Sequence, residues 1–332
     1  MAANIYIAGL GHALPDRVVG NHEVAAMIDT SDAFIRERTG VMSRRYLAPD
    51  QHLADLACPA AERAMADAGV CAHDVDLLIV NTLSLDYHDP SQACYLQPML
   101  GLREIPCFDI RAQCSGGLYG MEIARHFLAS GRYRNVLLVC AEALSRRIDT
   151  SLAGRNLSIL LGDGAAAMLL QASPDPAFGL MDLILVADGK QFDLLRTEAP
   201  SARRPHFIDA DDVAEGRHQF RMRGAEMFDD ATRRIVHACR QMLDWHGLTI
   251  SNIGLVVPHQ PNLRILDSVI AQLGLPRERC VVSVDRLGNM AGAAFPVALS
   301  LARAQGRMTA GQLNLFVTYG AGATWACALY RS

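Results

Sequence analysis

Short apolar runs alternate along the chain with longer amphipathic segments, a pattern typical of strands that alternate with helices. The runs of the first half predict strands at Ile5–Leu10, Val75–Asn81, Ile105–Ile110, Asn135–Ala141 and, after a glycine turn, within Gly162–Leu170. The amphipathic segments predict helices at Asn21–Ile28, Leu53–Ala68 and Leu118–Ala129. A further helix is predicted to begin at a cap in Thr30–Asp32 and to run through Arg38. Asn21 is expected to cap the first helix. Such alternation predicts parallel strands with helices on both faces of a sheet.

The second half of the chain repeats the order of the first half. Its pattern predicts a helix at Glu226–Trp245 and another that follows Ala293 and ends at Ala304. It predicts strands at Ile253–Val257, Cys280–Asp285 and Leu313–Thr318. Asp109 and Asp285 end equivalent strands 176 residues apart, and the same offset carries Val75–Asn81 onto a range that contains Ile253–Val257. We therefore predict a duplicated α/β unit with halves 1–172 and 173–332, and an irregular excursion at Lys190–Gly216.

Composition narrows the class of protein. The 332 residues are 51% apolar, enough for a large core, and a net charge of −4 gives no reason to expect nucleic acid or an anionic membrane as a partner. The first ten residues lack the pattern of a signal peptide, and no apolar stretch reaches membrane-spanning length. The nine cysteines show neither CxxC pairs nor metal-ligand spacing with histidine. A reduced, cytoplasmic protein without a structural metal is the expectation.

Cys114 is the strongest candidate nucleophile. It follows a predicted strand, precedes Gly116 and Gly117, and stands at the start of a predicted helix. The dipole of a helix N-terminus favours negative charge, so this thiol is predicted to ionise more readily than a free one. Most free cysteines are small buried core residues, but the position of Cys114 favours an acyl-accepting role instead.

His259 and Asn289 also lie where predicted strands of the second half end. Ligands of such folds gather at the carboxyl ends of the strands. A lone histidine there is more often structural, and a lone asparagine is more often a turn residue. Cys114 in the first half and these two residues in the second half all lie at the ends of predicted strands of a duplicated unit. All three are therefore candidates for one site.

These residues carry a family resemblance. The chain resembles the β-ketoacyl-acyl-carrier-protein synthase III family, of the thiolase fold, at motifs that span nearly its whole length. The motifs are Thr30–Ile35, Arg38–Gly40, Ala112–Gly116, Gly162–Ala166, Pro258–Ile265, Gly288–Ala294 and Tyr319–Trp325. The resemblance implies a duplicated αβαβα layered fold, with two pseudo-symmetric halves and mixed five-stranded sheets.

The resemblance also implies a decarboxylative Claisen condensation that uses no cofactor beyond its thioester substrates. Cys114 would take an acyl group from acyl-CoA, and a malonyl thioester would lose CO₂. His259 and Asn289 would donate hydrogen bonds to the enolate oxygen, and the N–H groups of Cys114 and Ala321 would form the oxyanion hole.

The family's coenzyme A site maps onto six positions of this chain. Thr30, Phe34, Arg38 and Arg155 would bind the nucleotide, with Phe34 and Arg155 stacking on the adenine. Asn262 would line the pantetheine channel. Arg264 would be the one basic residue kept from the family's patch for the acyl carrier protein. A homodimer is expected from the resemblance. Asp229, Ala271 and Gln272 replace frequent lysines of that patch, and Arg111 replaces a small residue, so the resemblance favours a specialised fatty-acid or polyketide pathway.

Other functions stay open at this point. One is acyl transfer to a hydroxyl or amine without decarboxylation, with His259 as general base. Another is a non-catalytic dimer partner, which the intact Cys114, His259 and Asn289 argue against. A degradative thiolase is disfavoured because Gly320–Gly322 holds no second cysteine. Serine hydrolase and nicotinamide-binding motifs are both missing from the sequence.

Overall fold

The computed structural model describes residues 4–332. Its strands are β1 (Ile5–Ala13), β2 (Val18–Gly20), β3 (Ser43–Arg45), β4 (Leu77–Asn81), β5 (Cys107–Ile110), β6 (Val136–Ala143), β7 (Asp163–Ala172), β8 (Gly179–Ala187), β9 (Leu195–Arg196), β10 (Arg221–Met222), β11 (Leu255–Pro258), β12 (Leu313–Gly320) and β13 (Thr324–Arg331). Its helices are α1 (Asn21–Met27), α2 (Asp32–Thr39), α3 (Ala54–Asp67), α4 (Gln92–Met99), α5 (Gly116–Ala129), α6 (Arg155–Ser158), α7 (Ala210–Ala214), α8 (Gly224–Trp245), α9 (Leu263–Leu273), α10 (Val284–Leu287) and α11 (Ala291–Ala304).

Two large sheets repeat one strand order. The N-terminal sheet runs β1-β7-β6-β4-β5, and the C-terminal sheet runs β8-β13-β12-β11. In both sheets the first two neighbouring pairs are antiparallel, and the β6–β4 and β12–β11 pairs are parallel. This confirms the predicted duplication and the mixed sheets. The division of the chain between residues 172 and 173 stays a prediction.

The C-terminal sheet has four strands, because the segment that runs beside β11 pairs mostly with a side chain and not with a strand backbone. Cys280 makes only a single parallel bridge to Val256, so the strand predicted at Cys280–Asp285 was wrong. The buried Gln260 carboxamide donates to the carbonyl of Val281 at 3.0 Å and accepts from the N–H of Ser283 at 2.8 Å. These bonds satisfy backbone groups that a neighbouring strand would otherwise pair.

The helices form three layers around the two sheets. Helices α3 and α4 cover the outer face of the N-terminal sheet, and α8 and α9 cover that of the C-terminal sheet. Helices α5 and α11 lie between the sheets, where Leu118, Met121 and Phe295 are fully buried. The layers are therefore αβαβα. Within residues 4–332, no helix combines the length and the apolar character that crossing a bilayer requires.

The first two helices test the predicted caps. The Ser31 side chain accepts from the N–H of Phe34, which confirms the cap of α2. The cap predicted for α1 was wrong, since Asn21 is the first residue of the helix and Gly20 precedes it. The Asn21 amide instead donates to the carbonyl of Val41 at 2.8 Å, a tertiary contact that local sequence does not show.

Asn81, the last residue of β4, lies between the first turns of the two central helices. Its buried side chain donates to the carbonyl of Gln113 at 3.2 Å. A Cβ atom at Gly116, which begins α5, or at Gly292, in the first turn of α11, would overlap the Asn81 carboxamide. The two glycines thus allow both helices to start against one side chain.

Replacing Gly116 by alanine should destabilise the protein, because the added methyl group meets Asn81 in a packed core. We expect Gly116→Ala to lower the free energy of unfolding by about 1–3 kcal/mol in urea titrations. Gly189→Ala is the matched control, since no atom lies near its Cβ position, and it should change stability by less than about 0.5 kcal/mol. Equal effects of the two substitutions would contradict the proposed packing.

Candidate active site

Cys114 lies in a short 3₁₀ turn, Gln113–Ser115, that joins β5 to α5. It is buried, at 7% exposure. The end of β12 reaches this turn, since a Cβ atom at Gly320 would lie 3.0 Å from the Cys114 nitrogen and 3.1 Å from its Cβ. A glycine is needed there because the backbones of the two halves meet at the thiol.

Backbone strain marks both Cys114 and Asn289. Among the described residues, the non-glycine positions with positive φ are Gln113, at 47°, and Ala291, at 39°. One directly precedes Cys114, and the other follows Asn289 by two residues. Such conformations cost on the order of 1–3 kcal/mol each and cluster at functional sites.

The backbone of Asn289 is fixed on both sides. Its N–H donates to the carbonyl of Leu160 at 2.7 Å, and its carbonyl accepts from the N–H of Gly162 at 3.0 Å. Its side-chain Oδ1 accepts from the N–H of Ala291 at 2.8 Å. That bond assigns the oxygen, so the Nδ2 amide remains as a hydrogen-bond donor at the site.

Cys114, Asn289 and Ala321 line one cavity of about 480 Å³, here called the Cys114 cavity. Its wall combines apolar side chains with charged ones. Members of the apolar part are Leu85, Leu144, Leu157, Leu161, Leu195 and Phe220. The structure thus brings together a thiol from one half of the chain and a carboxamide from the other.

His259, which was predicted to share a site with Cys114 and Asn289, is not among the residues that line this cavity. It follows β11, and its backbone N–H donates to the carbonyl of Val317 on β12 at 2.7 Å. The ring is 2% exposed, and Nδ1 has no hydrogen-bond partner among the described residues. Burial lowers the pKa of His259 to about 3, so the imidazole is neutral at physiological pH.

Glu142, at the end region of β6, is a functional candidate that sequence reasoning missed. It is fully buried, and it accepts from the N–H of Leu83 at 3.1 Å and from the hydroxyl of Ser84 at 2.7 Å. Burial raises the pKa of Glu142 to about 8. A single carboxylate in an apolar strand gives no local signal of such a position.

The predicted easy ionisation of Cys114 was wrong. Burial, and after it the nearby Glu142 carboxylate, raise the pKa of the thiol to about 12. A backbone hydrogen bond opposes this shift without reversing it. The thiol of the resting site is therefore protonated, because removal from water outweighs the effect of the helix start.

A second cavity, of about 540 Å³ and here called the Phe34 groove, collects five of the six residues predicted to bind coenzyme A. They are Phe34, Arg38, Arg155, Asn262 and Arg264. Thr30 is not in its wall, and the Thr30 hydroxyl is buried with no hydrogen-bond partner among the described residues.

One segment, residues 155–161, separates the groove from the Cys114 cavity. Arg155, Ile159 and Leu160 face the Phe34 groove, and Leu157 and Leu161 face the Cys114 cavity. The helical periodicity of α6 and the following turn puts residues four apart on the same side, so Arg155 and Ile159 line the groove, and Leu157 and Leu161 line the cavity. The two compartments thus share a single thin wall.

The Phe34 and Arg155 side chains contact each other. The Arg155 guanidinium lies 4.7 Å from the centre of the Phe34 ring. A planar base placed between them needs a separation of about 7 Å, twice the contact distance of stacked groups. Stacking of adenine on both side chains at once therefore requires Arg155 to move away from Phe34.

Asn262 organises one end of the groove. As the N-cap of α9, its Oδ1 accepts from the N–H of Arg264 at 2.8 Å, and its Nδ2 donates to the carbonyl of Arg38 at 3.2 Å. It thereby ties α9 to α2.

No group of three His, Cys, Asp or Glu residues within residues 4–332 is arranged to hold a metal ion.

The αβαβα layers, with a thiol and a carboxamide in one cavity where the duplicated halves meet, are the arrangement of a thiolase-fold condensing enzyme. Family profiles for 3-oxoacyl-[acyl-carrier-protein] synthase III match residues 108–189, and profiles for its C-terminal part match residues 243–332. The chain is 39% identical to β-ketoacyl-[acyl-carrier-protein] synthase III of Symbiobacterium thermophilum, over 98% of this chain and 97% of that one.

Solved structures give the same assignment. Synthase III of Aquifex aeolicus has a TM-score of 0.88 and 33% identity, over 99% of this chain and all of that one. The priming β-ketosynthase of the R1128 polyketide pathway has a TM-score of 0.89 and 32% identity, over 99% and 96% of the two chains. The chain belongs to the 3-oxoacyl-[acyl-carrier-protein] synthase III family. It is a transferase that performs decarboxylative condensation, as the resemblance implied, and this family works without a separate cofactor.

Glu142 should make the protein's stability depend on pH. Its pKa is raised from 4.5 to about 8, so between these values the folded state keeps a proton that the unfolded chain has released. The contribution of this group to stability is therefore expected to fall as pH rises through that window. Urea titrations of wild type and Glu142→Gln across the window should show a difference in unfolding free energy that declines with pH.

The exposed Glu104→Gln is the matched control for that experiment, because Glu104 makes no ion pair or side-chain hydrogen bond within the described chain. Its stability is expected to follow the wild-type pH curve. If the difference in unfolding free energy between wild type and Glu142→Gln does not change with pH, Glu142 does not carry the effect.

Proposed function

We propose that Cys114 carries the acyl group, while His259 and Asn289 stabilise the enolate of the extender thioester. The observation that supports this most directly is the fixed Asn289 carboxamide. Its oxygen is bound to the N–H of Ala291, so its Nδ2 is available as a donor in the cavity that holds Cys114. A neutral His259 has an N–H to donate as well.

The first half-reaction transfers an acyl group to Cys114. The thioester carbon–sulfur bond breaks, a new bond forms between that carbon and Cys114 Sγ, and the thiol proton leaves with coenzyme A. The N–H groups of Cys114 and Ala321 are the proposed donors to the tetrahedral oxyanion. Removal of one such donor typically costs on the order of 10²–10³ in rate.

The second half-reaction forms the carbon–carbon bond. The malonyl carboxylate leaves as CO₂, and the electron pair it releases becomes the enolate. The enolate carbon attacks the acyl carbonyl, the bond to Cys114 Sγ breaks, and the thiolate takes up one proton. Donors at His259 and Asn289 act where negative charge develops on the thioester oxygen, which lowers the barrier most effectively.

The Phe34 groove is the proposed site of the coenzyme A nucleotide, with the residues that the family resemblance implied. Two exposed arginines that line it, Arg38 and Arg264, suit phosphate groups by their charge and planar shape. An acyl carrier protein as carrier of the extender, a homodimeric state, a cytoplasmic location and a specialised fatty-acid or polyketide pathway are further parts of this proposal.

The alternative of acyl transfer without decarboxylation needs His259 as a base. Burial lowers the pKa of His259 to about 3, which makes it a weak proton acceptor and favours its role as a donor. Within residues 4–332 no carboxylate forms an ion pair or hydrogen bond with the His259 ring that could raise its basicity, which supports the same choice. No observation on the described residues favours a non-catalytic subunit.

Acylation gives the first test. Incubation with a panel of acyl-CoAs should add one acyl mass per chain, measured on the intact protein, and Cys114→Ala should abolish it. The exposed Cys71 offers the matched control, because Cys71→Ala should retain the adduct. An adduct that persists in Cys114→Ala, and that maps to another cysteine, would reject the assignment of the nucleophile.

Decarboxylation gives the second test. CO₂ release from malonyl-CoA should fall about 10²–10³-fold in Asn289→Ala and in His259→Ala. Because His259 stays neutral above about pH 3, the wild-type rate should show no inflection near the ordinary histidine pKa of 6.5. A rate that drops tenfold per pH unit below that value, and that still does so in His88→Gln and His218→Gln, the other histidines of the cavity wall, would contradict the donor role of His259.

A further inference from the structure

The charged part of the Cys114 cavity is unusual for a compartment that receives an acyl chain. Three arginines, Arg111, Arg147 and Arg196, lie in its wall, and Asp109 is the only acidic residue there. The Asp109 carboxylate is engaged elsewhere, since it accepts from two N–H groups at the start of α4, at 2.7 and 2.8 Å. The wall therefore carries an excess of positive charge.

Two of the three guanidinium groups have no acidic partner. Arg196 pairs with Glu198 at 2.7 Å, whereas no carboxylate of the described chain lies within 4.0 Å of Arg111 or Arg147. Arg111 makes no side-chain hydrogen bond within residues 4–332. Arg111 is exposed, whereas Arg147 is half-buried, and an unpaired cation that is partly withdrawn from water has a free-energy cost that a bound anion offsets.

Arg147 is held in position for such an anion. One of its nitrogens, Nη2, donates to the Thr197 hydroxyl at 2.9 Å, and its guanidinium lies 3.7 Å from the centre of the Phe220 ring. Burial lowers the pKa of Arg147, Glu142 opposes that shift, and the neighbouring charge of Arg111 adds to it. The fixed guanidinium keeps further N–H donors directed at ligands in the cavity.

We propose that the Cys114 cavity selects acyl groups that carry a carboxylate at their far end, and that Arg147 and Arg111 bind this carboxylate. The acyl class is the half-thioester of a short dicarboxylic acid, such as succinyl or glutaryl. Leu144, Leu157 and Leu161 in the same wall suit its methylene groups. This inference rests on the proposed acylation of Cys114.

The malonyl carboxylate is a poorer candidate for these arginines. That carboxylate must lose its charge to leave as CO₂, and two bound guanidinium groups would stabilise the ground state more than the transition state. A carboxylate at the far end of the acyl chain keeps its charge throughout both half-reactions. Its binding energy therefore favours the correct acyl donor without opposing decarboxylation.

The test compares acyl-CoAs of equal carbon number in the acylation step, without any malonyl thioester. Succinyl-CoA is paired with butyryl-CoA and glutaryl-CoA with valeryl-CoA, and the rate of adduct formation is followed by intact-protein mass. Cys114→Ala gives the background from non-specific acylation. In the wild type the carboxylated partner of each pair should react about tenfold faster or more.

Substitutions at Arg147 should change this ratio. Arg147→Leu should lower the carboxylated-to-plain ratio about 10- to 100-fold, and Arg147→Lys should lower it less because the charge is kept. Arg111→Leu should lower the ratio as well. Because the Arg111 side chain is exposed, this variant still tests the proposal if Arg147→Leu does not fold. Arg132→Leu, an exposed arginine outside the cavity, is the matched control and should leave the ratio unchanged.

The outcomes separate the two levels of the proposal. If the wild type reacts equally well with both members of each pair, or faster with the plain ones, the selection of carboxylated acyl groups is wrong and Cys114 remains the nucleophile. If no thioester gives an adduct on Cys114, the proposed function fails together with the inference. A ratio that falls equally in Arg132→Leu would also overturn the role of Arg147.

Discussion

The contact of Asn81 with Gly116 and Gly292 is the constraint on which the site depends. Both central helices begin against this one carboxamide, and neither can do so with a side chain at its glycine. The turn that precedes α5 presents Cys114, and the turn that precedes α11 presents Asn289. Close packing of two helix starts therefore sets the spacing of the thiol and its hydrogen-bond donor, which neither half could fix alone.

Much of the architecture could be predicted from the sequence because it rests on periodicity. The offset of 176 residues reflects the repeated strand order of the two sheets. The run predicted at Val75–Asn81 contains β4, and the run predicted at Leu313–Thr318 lies within β12. The errors arose where a side chain replaced a backbone partner. The Gln260 side chain, and not the backbone of β11, pairs with the backbone of Val281 and Ser283, and Asn21 makes tertiary bonds instead of a cap. Such substitutions leave no periodic trace.

The site was predictable to a different degree. Cys114, Asn289 and Ala321 lie close to glycines in recognisable motifs and share a cavity, whereas His259, predicted for the same site, is not in its wall. Glu142 and Arg147 come from outside those motifs, and the excursion at Lys190–Gly216 contributes wall residues that have no pattern of their own. The protonation of Cys114 was mispredicted because burial, a property of the whole fold, outweighs the local effect of a helix terminus.

The thin partition at residues 155–161 carries an evolutionary consequence. Its two helical faces belong to different compartments, so one substitution in this turn, through a shift of its backbone, perturbs the surroundings of both. Selectivity for the transferred group and affinity for its carrier cannot drift independently in this stretch. Divergence of the chain toward new donors is therefore easier through the opposite wall, at Arg147 and along the excursion, than through the partition itself.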